Sequence, residues 1–445
     1  MYSLVPRITS SPPRTPSPIS QAGNESRFNF IAQGEYVDNY RPGGYHPVHL
    51  GDLFCNDRYK VIRKLGFGAF STVWLVHDTI FSGFAALKIK QAHNSVDDQE
   101  LIMLIHLQNS KLLDPSKEHV IRLQDHFYHE GPNGRHLCLV FELLGDNIYE
   151  VLEDYSMEMT GNGQELSKFP KSVAKKIIKD LLLGLNWLHI NKVIHGDLQP
   201  GNFLSSMKGV SSLELEDLET DADSAKVDVT RIDGKPDKWA PNYIVVPQGS
   251  PIEADEWPFF PVKLSDLGAG YFAPQPPTTE KIITPIALQS PELILRSCLL
   301  DTFVDIWSFG CMLFEMLVGE RLLPVWPTGI EENDADACLL AMHHVLGPLP
   351  EEIKEKWPRW KDYFGESSDI PYNLLVEGHA SLLEPIRDME TMIRDTVSAG
   401  NGLDEEEGKA LLSLLRGMLN YDPKERPSAS EILKSALWDE MAVEE

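Results

Sequence analysis

Residues 193–204 read VIHGDLQPGNFL, and this stretch decides how the rest of the chain is interpreted. It brings Asp197 and Asn202 into one short segment that Pro200 and Gly201 restrain. A carboxylate can orient a hydroxyl group and accept its proton, and a carboxamide oxygen can bind Mg²⁺ without adding charge. The octapeptide HGDLQPGN is far more specific than a lone His-x-Asp, so we predict a catalytic loop here.

Regular patterns lie on both sides of this loop. Downstream, residues 262–272 read VKLSDLGAGYF and place Asp266 at the end of a short apolar strand. An aspartate in that position is commonly a turn former, but together with Asn202 it could also bind a metal ion. Upstream, apolar residues recur at helical spacing and predict an amphipathic helix packed on a core. These residues are Ala174, Ile177, Ile178, Leu181, Leu182, Leu185 and Leu188.

The first part of the chain has the pattern of a small sheet with one helix. From residue 59, the runs YKVIRKL, STVWLVH and FAALKIK predict three antiparallel strands. QELIMLIHL then predicts a helix and HLCLVFELL a buried strand. Beyond Gly145 helical patterns dominate, including VDIWSFGCMLFEML and GKALLSLLRGML. We therefore expect an α+β fold with a small sheet-based part and a larger, mainly helical part.

Two features of the predicted sheet carry chemistry. In LGFGAFSTVWL, Gly66 and Gly68 allow a hairpin to approach a bound group, and N–H groups there can face phosphate oxygens. Lys88 in AALKIK is either an edge charge in solvent or an inward ammonium group. In the second case it would bridge nucleotide phosphates and pair with Glu100 on the next helix. The sequence of the strand alone does not distinguish these two orientations of Lys88.

Composition narrows the classes of function. The 445 residues include 40 Lys and Arg against 67 Asp and Glu, which gives a formal net charge of −27. This balance argues against nucleic acid as the main partner and favours cationic partners or simple solubility. No apolar run approaches the roughly twenty residues of a membrane-spanning helix, so we expect a protein of the cytoplasm and nucleus. The cysteines form no CxxC pair, which is typical of a reduced intracellular protein. They are Cys55, Cys138, Cys298, Cys311 and Cys338.

Two segments have no periodic apolar pattern. Residues 1–50 are rich in Ser, Pro, Gly and Asn, which predicts a disordered or extended leader. In this leader Ser11, Thr15 and Ser17 each precede a proline and could accept phosphate, although such pairs are common in any linker. A weak transit peptide is also conceivable there. Residues 205–260 are acidic and contain several prolines, which predicts an insertion on the surface rather than part of the core.

Several motifs follow one another in a fixed order: GxGxFSxV, Ala-Leu-Lys, a helical Glu, HGDLQPGN, DLG, SPE, DIWSFG and ERPSASEIL. In this order they resemble the eukaryotic protein kinases over residues 59–438. The chain is most similar to the serine/arginine-protein kinases, the SRPK family. This similarity rests on YRPGGYHPVHLGDLF, Ser71 in place of a third glycine, DLG in place of DFG, the spacer before DLG, and EENDADACLLAMHHVLGPLP. HGDLQPGN and APNYIVVPQ resemble a variant known from filamentous fungi.

The resemblance implies a two-lobed protein kinase fold. The N-lobe would occupy residues 51–142, with a small antiparallel sheet and one main helix. The larger, mainly helical C-lobe would occupy residues 143–445, with a spacer insert at about 205–260 and a late insert at about 320–400. Glu292 and Arg426 match the buried ion pair that braces the C-lobe of such enzymes.

The resemblance also implies roles for individual residues. Asp197 would be the catalytic base, and Asn202 and Asp266 would bind Mg²⁺. Lys88 would contact the α- and β-phosphates of ATP with Glu100 as its partner. The other implied nucleotide contacts are Leu65, Gly66, Phe67, Gly68, Ala69, Phe70, Ser71, Thr72 and Val73 over the nucleotide, Ala86 and Leu204 around adenine, Phe141 as gatekeeper, and Glu142 and Leu144 in the hinge.

Four positions depart from the common kinase pattern. Gln199 stands where a lysine usually contacts the γ-phosphate, and a neutral amide supplies no charge to the transition state, a loss of about 2–4 kcal/mol. Gly196 replaces the arginine that receives an activation-loop phosphate, which agrees with the SRPK pattern of activity without that phosphate. Gln289 replaces a common arginine, and Thr284 lies one position early relative to Glu292. Both changes bear on peptide specificity.

The function implied is transfer of the γ-phosphate of ATP to Ser or Thr hydroxyls, with Mg²⁺, in Arg/Ser-rich splicing-related proteins. We expect a monomer that binds neither nucleic acid directly nor membranes. An acidic cluster in the late insert could dock the basic substrates, or it could be a solvated loop. This cluster consists of Glu331, Glu332, Asp334 and Asp336.

Two other functions stay open. Gln199 and Ser71 are compatible with a catalytically weak pseudokinase that acts as a scaffold. HGDLQPGNFL also resembles the loop of aminoglycoside and choline-type phosphotransferases, which act on small-molecule hydroxyls. Those enzymes lack the SPE, DxWSFG and RPSASEIL motifs that this chain contains.

Overall fold

The computed structural model describes residues 26–29, 34–152, 169–207, 215–218, 225–247, 261–276, 282–297, 299–364, 387–400, 402–435 and 437–438. Its strands are β1 (Leu53–Phe54), β2 (Tyr59–Phe67), β3 (Ser71–Asp78), β4 (Gly83–Lys90), β5 (Leu123–Gly131), β6 (Gly134–Glu142), β7 (Val193–Ile194), β8 (Phe203–Ser205), β9 (Lys226–Asp228), β10 (Tyr243–Val245), β11 (Val262–Leu264) and β12 (Tyr271–Phe272).

Most of the helices in the described residues lie in the second half of the chain. They are α1 (Gln99–Gln108), α2 (Lys171–Ile190), α3 (Leu215–Leu218), α4 (Pro291–Ile294), α5 (Phe303–Val318), α6 (Glu331–Leu346), α7 (Glu351–Lys356), α8 (Trp360–Phe364), α9 (Met389–Ser398), α10 (Glu405–Met418) and α11 (Ala429–Ile432). The five strands and four helices expected from the patterns described above are all present.

The described residues form two compact units, and both are discontinuous in sequence. The first draws on Met1–Leu101, Arg122–Gly145 and Met207–Asp255. The second draws on Ile102–Ile121, Asp146–Ser206 and Glu256–Glu445. This division differs from the contiguous boundaries expected from the sequence, because the described spacer residues from 215 to 247 group with the first unit.

A six-stranded antiparallel sheet forms the first unit, in the order β1-β2-β3-β4-β6-β5. Its interior is made by alternating side chains such as Trp74, Val76 and Leu87, all at most 1% exposed. Strand β5 was not predicted, because only Leu123 is buried and its half-buried alternate positions include Asp125 and His129, which leaves no apolar run. The neighbouring β6 is almost wholly buried and reads as a continuous apolar strand.

The leader prediction is wrong for the described residues before β1. Tyr40 and Tyr45 are buried at 1% and 2% exposure and pack in one cluster with Phe28, Val37 and Ile244. A short 3-10 helix, Val37–Asn39, leads into this segment. The chain here is irregular yet buried, so it has no periodicity for sequence reasoning to detect. Residues 1–25, which contain Ser11, Thr15 and Ser17, lie outside the described residues.

The surface prediction is also wrong for the hairpin strands of the spacer, although residues 232–236 between them are exposed. Strands β9 and β10 pair antiparallel, with Ile244 opposite Val227. Ala225 and Val245 are each 1% exposed and belong to the same apolar cluster as the sheet residues. The spacer hairpin is therefore part of the core of the first unit, because its apolar side is covered by the sheet.

The second unit is built around two long helices. Helix α2 buries the apolar stripe predicted for it, including Ile177, Leu181 and Leu185. Helix α5 is apolar on most sides and has 13 buried residues, from Val304 to Val318. Two short ladders, β7 with β12 and β8 with β11, hold the loops that follow α2. Among the described residues, no helix combines the length and apolar character needed to span a bilayer.

Candidate active site

Lys88 lies on β4 of the first unit, between β3 and β6. Its Nζ donates to Glu100 Oε1 on α1 at 2.7 Å, and both residues are buried. The other carboxylate oxygen of Glu100 accepts from Lys90 Nζ at 3.0 Å, and Lys90 also pairs with Asp98. The inward orientation of Lys88 is thus observed, whereas its contact with phosphate stays a prediction. Sequence reasoning missed Lys90, the second cation on this carboxylate.

The turn between β2 and β3 contains Gly68, whereas Gly66 lies near the end of β2. Gly68 N donates to Ser71 O at 2.8 Å, which closes the turn, and Ala69 and Phe70 are exposed at its tip. Gly66 of β2 lies opposite Val73 of β3 in the sheet. Four other residues predicted to contact the nucleotide lie in the flanking strands β2 and β3. They are Leu65, Phe67, Ser71 and Thr72.

The residues expected around adenine and in the hinge fall into both units. Ala86 of β4 lies directly opposite Phe141 of β6. Glu142 ends β6, where Oε1 accepts from Arg122 N at 2.9 Å, and Leu144 is buried two residues later. Leu204 belongs to the second unit, where it lies on β8 opposite Lys263. Nucleotide binding by these residues stays a prediction.

Asp197 is the centre of the second cluster. Its Oδ2 accepts from Gln199 Nε2 at 2.7 Å and from Asn202 Nδ2 at 3.0 Å, while Oδ1 is buried without a hydrogen-bond partner among the described residues. Burial raises the pKa of Asp197, and the nearby Asp266 adds to this, although the amide donors and His195 oppose it. A carboxylate with one oxygen held and the other unbonded is poised to accept a proton.

Asn202 and Asp266 lie at the same end of the β8–β11 ladder. Ser265, between β11 and Asp266, donates from both N and Oγ to Asn202 O, each at 2.9 Å. Asp266 has a left-handed backbone with φ 58°, and its Oδ1 accepts from Gly268 N at 3.0 Å. The short turn after the strand therefore orients this carboxylate, as a turn-forming aspartate does.

These two side chains suit Mg²⁺. Both bonds of Asn202 Nδ2 go to Asp197, so the carboxamide oxygen of Asn202 is turned away from that carboxylate. Carboxylate and amide oxygens are the donors this ion prefers, and it is usually bound by one or two side chains plus phosphate and water. Within the part of the chain described, no cluster of three or more His, Cys, Asp or Glu side chains could hold a metal by itself.

The backbone before Asp197 is held by Asp305 of α5. Its two carboxylate oxygens accept from His195 N at 2.8 Å and Gly196 N at 3.0 Å. Gly196 has φ +75°, and a Cβ there would lie 2.5 Å from Ala269 O. Position 196, where related kinases usually have an arginine, therefore accepts only glycine without strain.

Thr284 and Gln289, which the resemblance places in a peptide-binding segment, contact the backbone next to Asp197 and each other. The Thr284 hydroxyl donates to the carbonyl of Gly196, and Gln289 Nε2 donates to Thr284 O at 2.7 Å. Both side chains are buried. Thr284 therefore reaches the catalytic loop despite its early position, and Gln289 holds it there.

The predicted ion pair between Glu292 and Arg426 is present. The guanidinium donates twice to the carboxylate, at 2.6 and 2.8 Å, and both side chains are buried. Arg426 also donates to Phe303 O at 2.9 Å and to Asn420 O at 2.8 Å. This cation links α4, the start of α5 and the turn before α11.

Two residues of the predicted acidic docking cluster are buried and accept hydrogen bonds from neighbouring residues of the same unit. Asp336 is 3% exposed and accepts from Trp357 Nε1 at 2.6 Å and Tyr363 OH at 2.9 Å. Asp334 is 7% exposed and accepts from Thr328 N and Oγ1 at the start of α6. Only Glu331 and Glu332 are exposed, and Glu331 pairs with Arg296 at 2.9 Å. The prediction of a four-residue docking groove is therefore wrong for Asp334 and Asp336.

The sheet with its Lys–Glu pair, and the Asp–Asn loop with the aspartate after the next strand, define a protein kinase. In agreement, the model of the protein kinase domain matches residues 59–259 and 252–438. A serine/threonine-protein kinase SRPK of Physarum polycephalum is 30% identical, and the match covers 92% of this chain and 92% of that protein. The chain belongs to the SRPK-type serine/threonine protein kinases.

Further relatives agree with this assignment. A serine/threonine protein kinase of Aspergillus fumigatus is 29% identical over 96% of this chain and 95% of its own. The human SRSF protein kinase 3 is 39% identical over 37% of this chain and 28% of its own. The crystal structure of a kinase domain superposes with a TM-score of 0.59 at 22% identity, covering 88% of this chain and 98% of that domain. This chain is accordingly an ATP-dependent serine/threonine protein kinase.

Proposed function

We propose that this kinase phosphorylates Ser or Thr in Arg/Ser-rich, splicing-related proteins, with Asp197 as the catalytic base. The observation that carries the catalytic part is the asymmetric environment of the Asp197 carboxyl group. Oδ2 is held by two amides, while Oδ1 is buried and without a partner among the described residues. A substrate hydroxyl that donates to Oδ1 would be oriented for in-line attack and would give up its proton there.

The other predicted residues have complementary tasks in this proposal. Lys88, kept in place by Glu100, neutralises phosphate charge, and the 65–73 loop covers the nucleotide. Asn202 and Asp266 hold Mg²⁺, which when bound screens the charge on the β- and γ-phosphates. Gln199 keeps Asp197 in its orientation by a hydrogen bond rather than by charge.

Two observations support a basic substrate. Two of the relatives are named SRPK and SRSF protein kinase. The net charge of −27 attracts cationic segments at a distance, although solubility alone also accounts for it. We further propose that the protein acts as a monomer in the cytoplasm and nucleus, without direct nucleic-acid or membrane contacts.

The substrate class is tested by an assay with ATP and Mg²⁺ on three acceptors: an Arg-Ser repeat peptide, an uncharged Ser peptide and a panel of small aminoalcohols. We expect transfer to the first only. The KM for this peptide should rise steeply between 50 and 300 mM salt, because exposed charges are screened. A flat salt response would contradict electrostatic recognition, and ATP binding without any transfer would favour the pseudokinase alternative.

The role of Asp197 is tested by Asp197→Ala. We expect kcat to fall by about 10²–10⁴-fold, since general base catalysis is lost, while the Kd for ATP measured by calorimetry changes little. Asp362→Asn, at an exposed aspartate of α8, is the matched control and should leave kcat unchanged. Wild-type transfer by Asp197→Ala would refute the assignment.

A further inference from the structure

The tip of the 65–73 loop is tied to the body of the first unit through three consecutive carbonyl groups. The Tyr45 hydroxyl lies 2.7 Å from Gly68 O and 3.1 Å from Ala69 O. Gln91 Nε2 donates to Ala69 O at 3.1 Å, and Gln91 N donates to Phe70 O at 2.8 Å. Ala69 and Phe70 are exposed, whereas Tyr45 and Gln91 are buried at 2% and 5% exposure. An exposed tip is thus anchored by buried donors.

These bonds also set the direction of the N–H groups in the tip. A peptide unit is planar and trans, so a carbonyl held on one side directs the N–H of the next residue to the opposite side. The bonds to Gly68 O and Ala69 O therefore orient the N–H groups of Ala69 and Phe70. Within the described part of the chain, neither N–H donates to a protein acceptor. Successive unused N–H groups in a turn make a concavity that attracts anionic oxygens.

Tyr45 is itself firmly placed. Its N donates to Asn39 O at 3.0 Å, and its O accepts from Asn133 Nδ2 at 2.5 Å. The preceding Gly44 is in close contact, since a Cβ there would lie 1.8 Å from Asn39 O. The Tyr45 ring packs with Tyr40 and with Ile244 of the spacer hairpin. Burial raises the pKa of Tyr45, so the hydroxyl stays protonated and remains a donor.

We propose that Tyr45 is a positioning residue for the nucleotide, which holds the glycine-containing loop in the form that presents the Ala69 and Phe70 N–H groups to phosphate. This inference rests on the proposed role of that loop in ATP binding. Tyr45 does not touch the nucleotide in this proposal. It acts through the loop, from a segment that precedes the matched kinase domain and lies within the YRPGGYHPVHLGDLF stretch on which the family similarity partly rests.

The test is Tyr45→Phe in the full chain, which removes the hydroxyl and keeps the ring. We expect the Kd for ATP with Mg²⁺, measured by calorimetry, and the KM for ATP to rise about three- to tenfold, the worth of one hydrogen bond. The kcat at saturating ATP and the KM for the peptide should stay within twofold. Hydrogen exchange at Ala69 and Phe70 should accelerate, because the tip is no longer tied.

Tyr40→Phe is the matched control. Tyr40 lies in the same segment, with its ring centroid 5.6 Å from that of Tyr45, but its hydroxyl bonds to Glu35 and not to the loop. This variant should lower the melting temperature without raising the Kd for ATP. An unchanged Kd in Tyr45→Phe, or an equal rise in both variants, would overturn the proposal. Absence of ATP binding by the wild type would instead refute the proposed nucleotide site.

Discussion

At the residue scale, the neutral partner of Asp197 is the most informative departure from the common kinase pattern. An ammonium group at position 199 would stabilise the carboxylate by charge, whereas the Gln199 amide does so only by a 2.7 Å hydrogen bond. Burial and Asp266 raise the pKa of Asp197, and no adjacent cation in the catalytic loop offsets them fully. In its proposed role as the base, Asp197 would therefore be stronger but would be protonated at a higher pH.

This gives a prediction with a definite sign. The base must be ionised to act, so activity appears as the pH rises through its pKa. Gln199→Lys should lower the pKa of Asp197 and move the acid limb of the kcat/KM profile to lower pH. Gln199→Met, which removes the donor but keeps the length, should move that limb to higher pH. Profiles from pH 4.5 to 8 on the Arg-Ser peptide measure both. Shifts in the same direction would contradict the proposed pairing.

At the scale of elements, helix α6 shows how an acidic sequence can serve packing rather than docking. Burial raises the pKa of Asp336, against hydrogen bonds from Trp357 and Tyr363 that lower it. The carboxylate joins α6 to α7 and α8 through these two rings and Arg359, whose Nε lies 3.1 Å away. Acidic composition alone cannot distinguish this arrangement from an exposed cluster, because burial is decided by partners that follow 20 to 30 residues later.

Asp336→Ala should therefore affect stability and not substrate binding. Two buried donors would lose their acceptor, which we expect to cost about 2–3 kcal/mol in urea unfolding. The KM for the basic peptide should stay within twofold below the melting temperature. Glu332→Ala, at an exposed position of the same helix, should change stability by less than about 0.5 kcal/mol. A selective rise in KM for Asp336→Ala would restore the docking hypothesis for this residue.

The elements that sequence reasoning found and missed differ in one physical respect. Strands β2 to β4 and helices α2 and α5 carry their own apolar periodicity, so their neighbours in sequence are sufficient to predict them. The segment before β1 and the spacer hairpin bury their side chains against each other, as Tyr45 and Ile244 do, across nearly 200 residues of chain. A contact between residues so far apart in sequence cannot be inferred from local sequence patterns. The catalytic loop could be predicted because its residue types are constrained by chemistry, whereas the bonds of Tyr45 and Gln91 to backbone carbonyls cannot be inferred from residue type.

At the scale of the whole molecule, several buried cations of the described residues form ion pairs with acidic side chains. Lys88, Lys175 and Arg426 are each paired with a buried glutamate. In one of these pairs, burial opposes ionisation of Glu407. Hydrogen bonds donated by Lys175, Asp404 N and Lys171 outweigh burial and lower the pKa of Glu407 to about 2. Such pairs make the fold sensitive to acid.

Glu407→Gln should test this sensitivity. A carboxyl whose pKa is lowered in the folded state stabilises the protein above its unfolded pKa of about 4.5, and this contribution disappears as the pH falls through about 2. We expect the variant to be less stable by about 1–2 kcal/mol at pH 7, allowing for the partial exposure of Lys171. The difference should shrink below pH 4.5 and be nearly absent at pH 2. Glu405→Gln, on the same turn but exposed, is the control and should show no such trend.

The buried ion pair between Lys64 and Glu35 limits how far this kinase can be truncated from its N-terminal side. Lys64 lies in β2, within the region that matches the kinase domain, but Glu35 lies before it. A recombinant fragment trimmed to begin at residue 51 would keep every catalytic motif and yet leave a 0% exposed ammonium group without its counter-ion. Removing one member of a buried pair costs about 3–5 kcal/mol. We expect such a fragment to yield little folded enzyme, so a stable fragment must include Glu35.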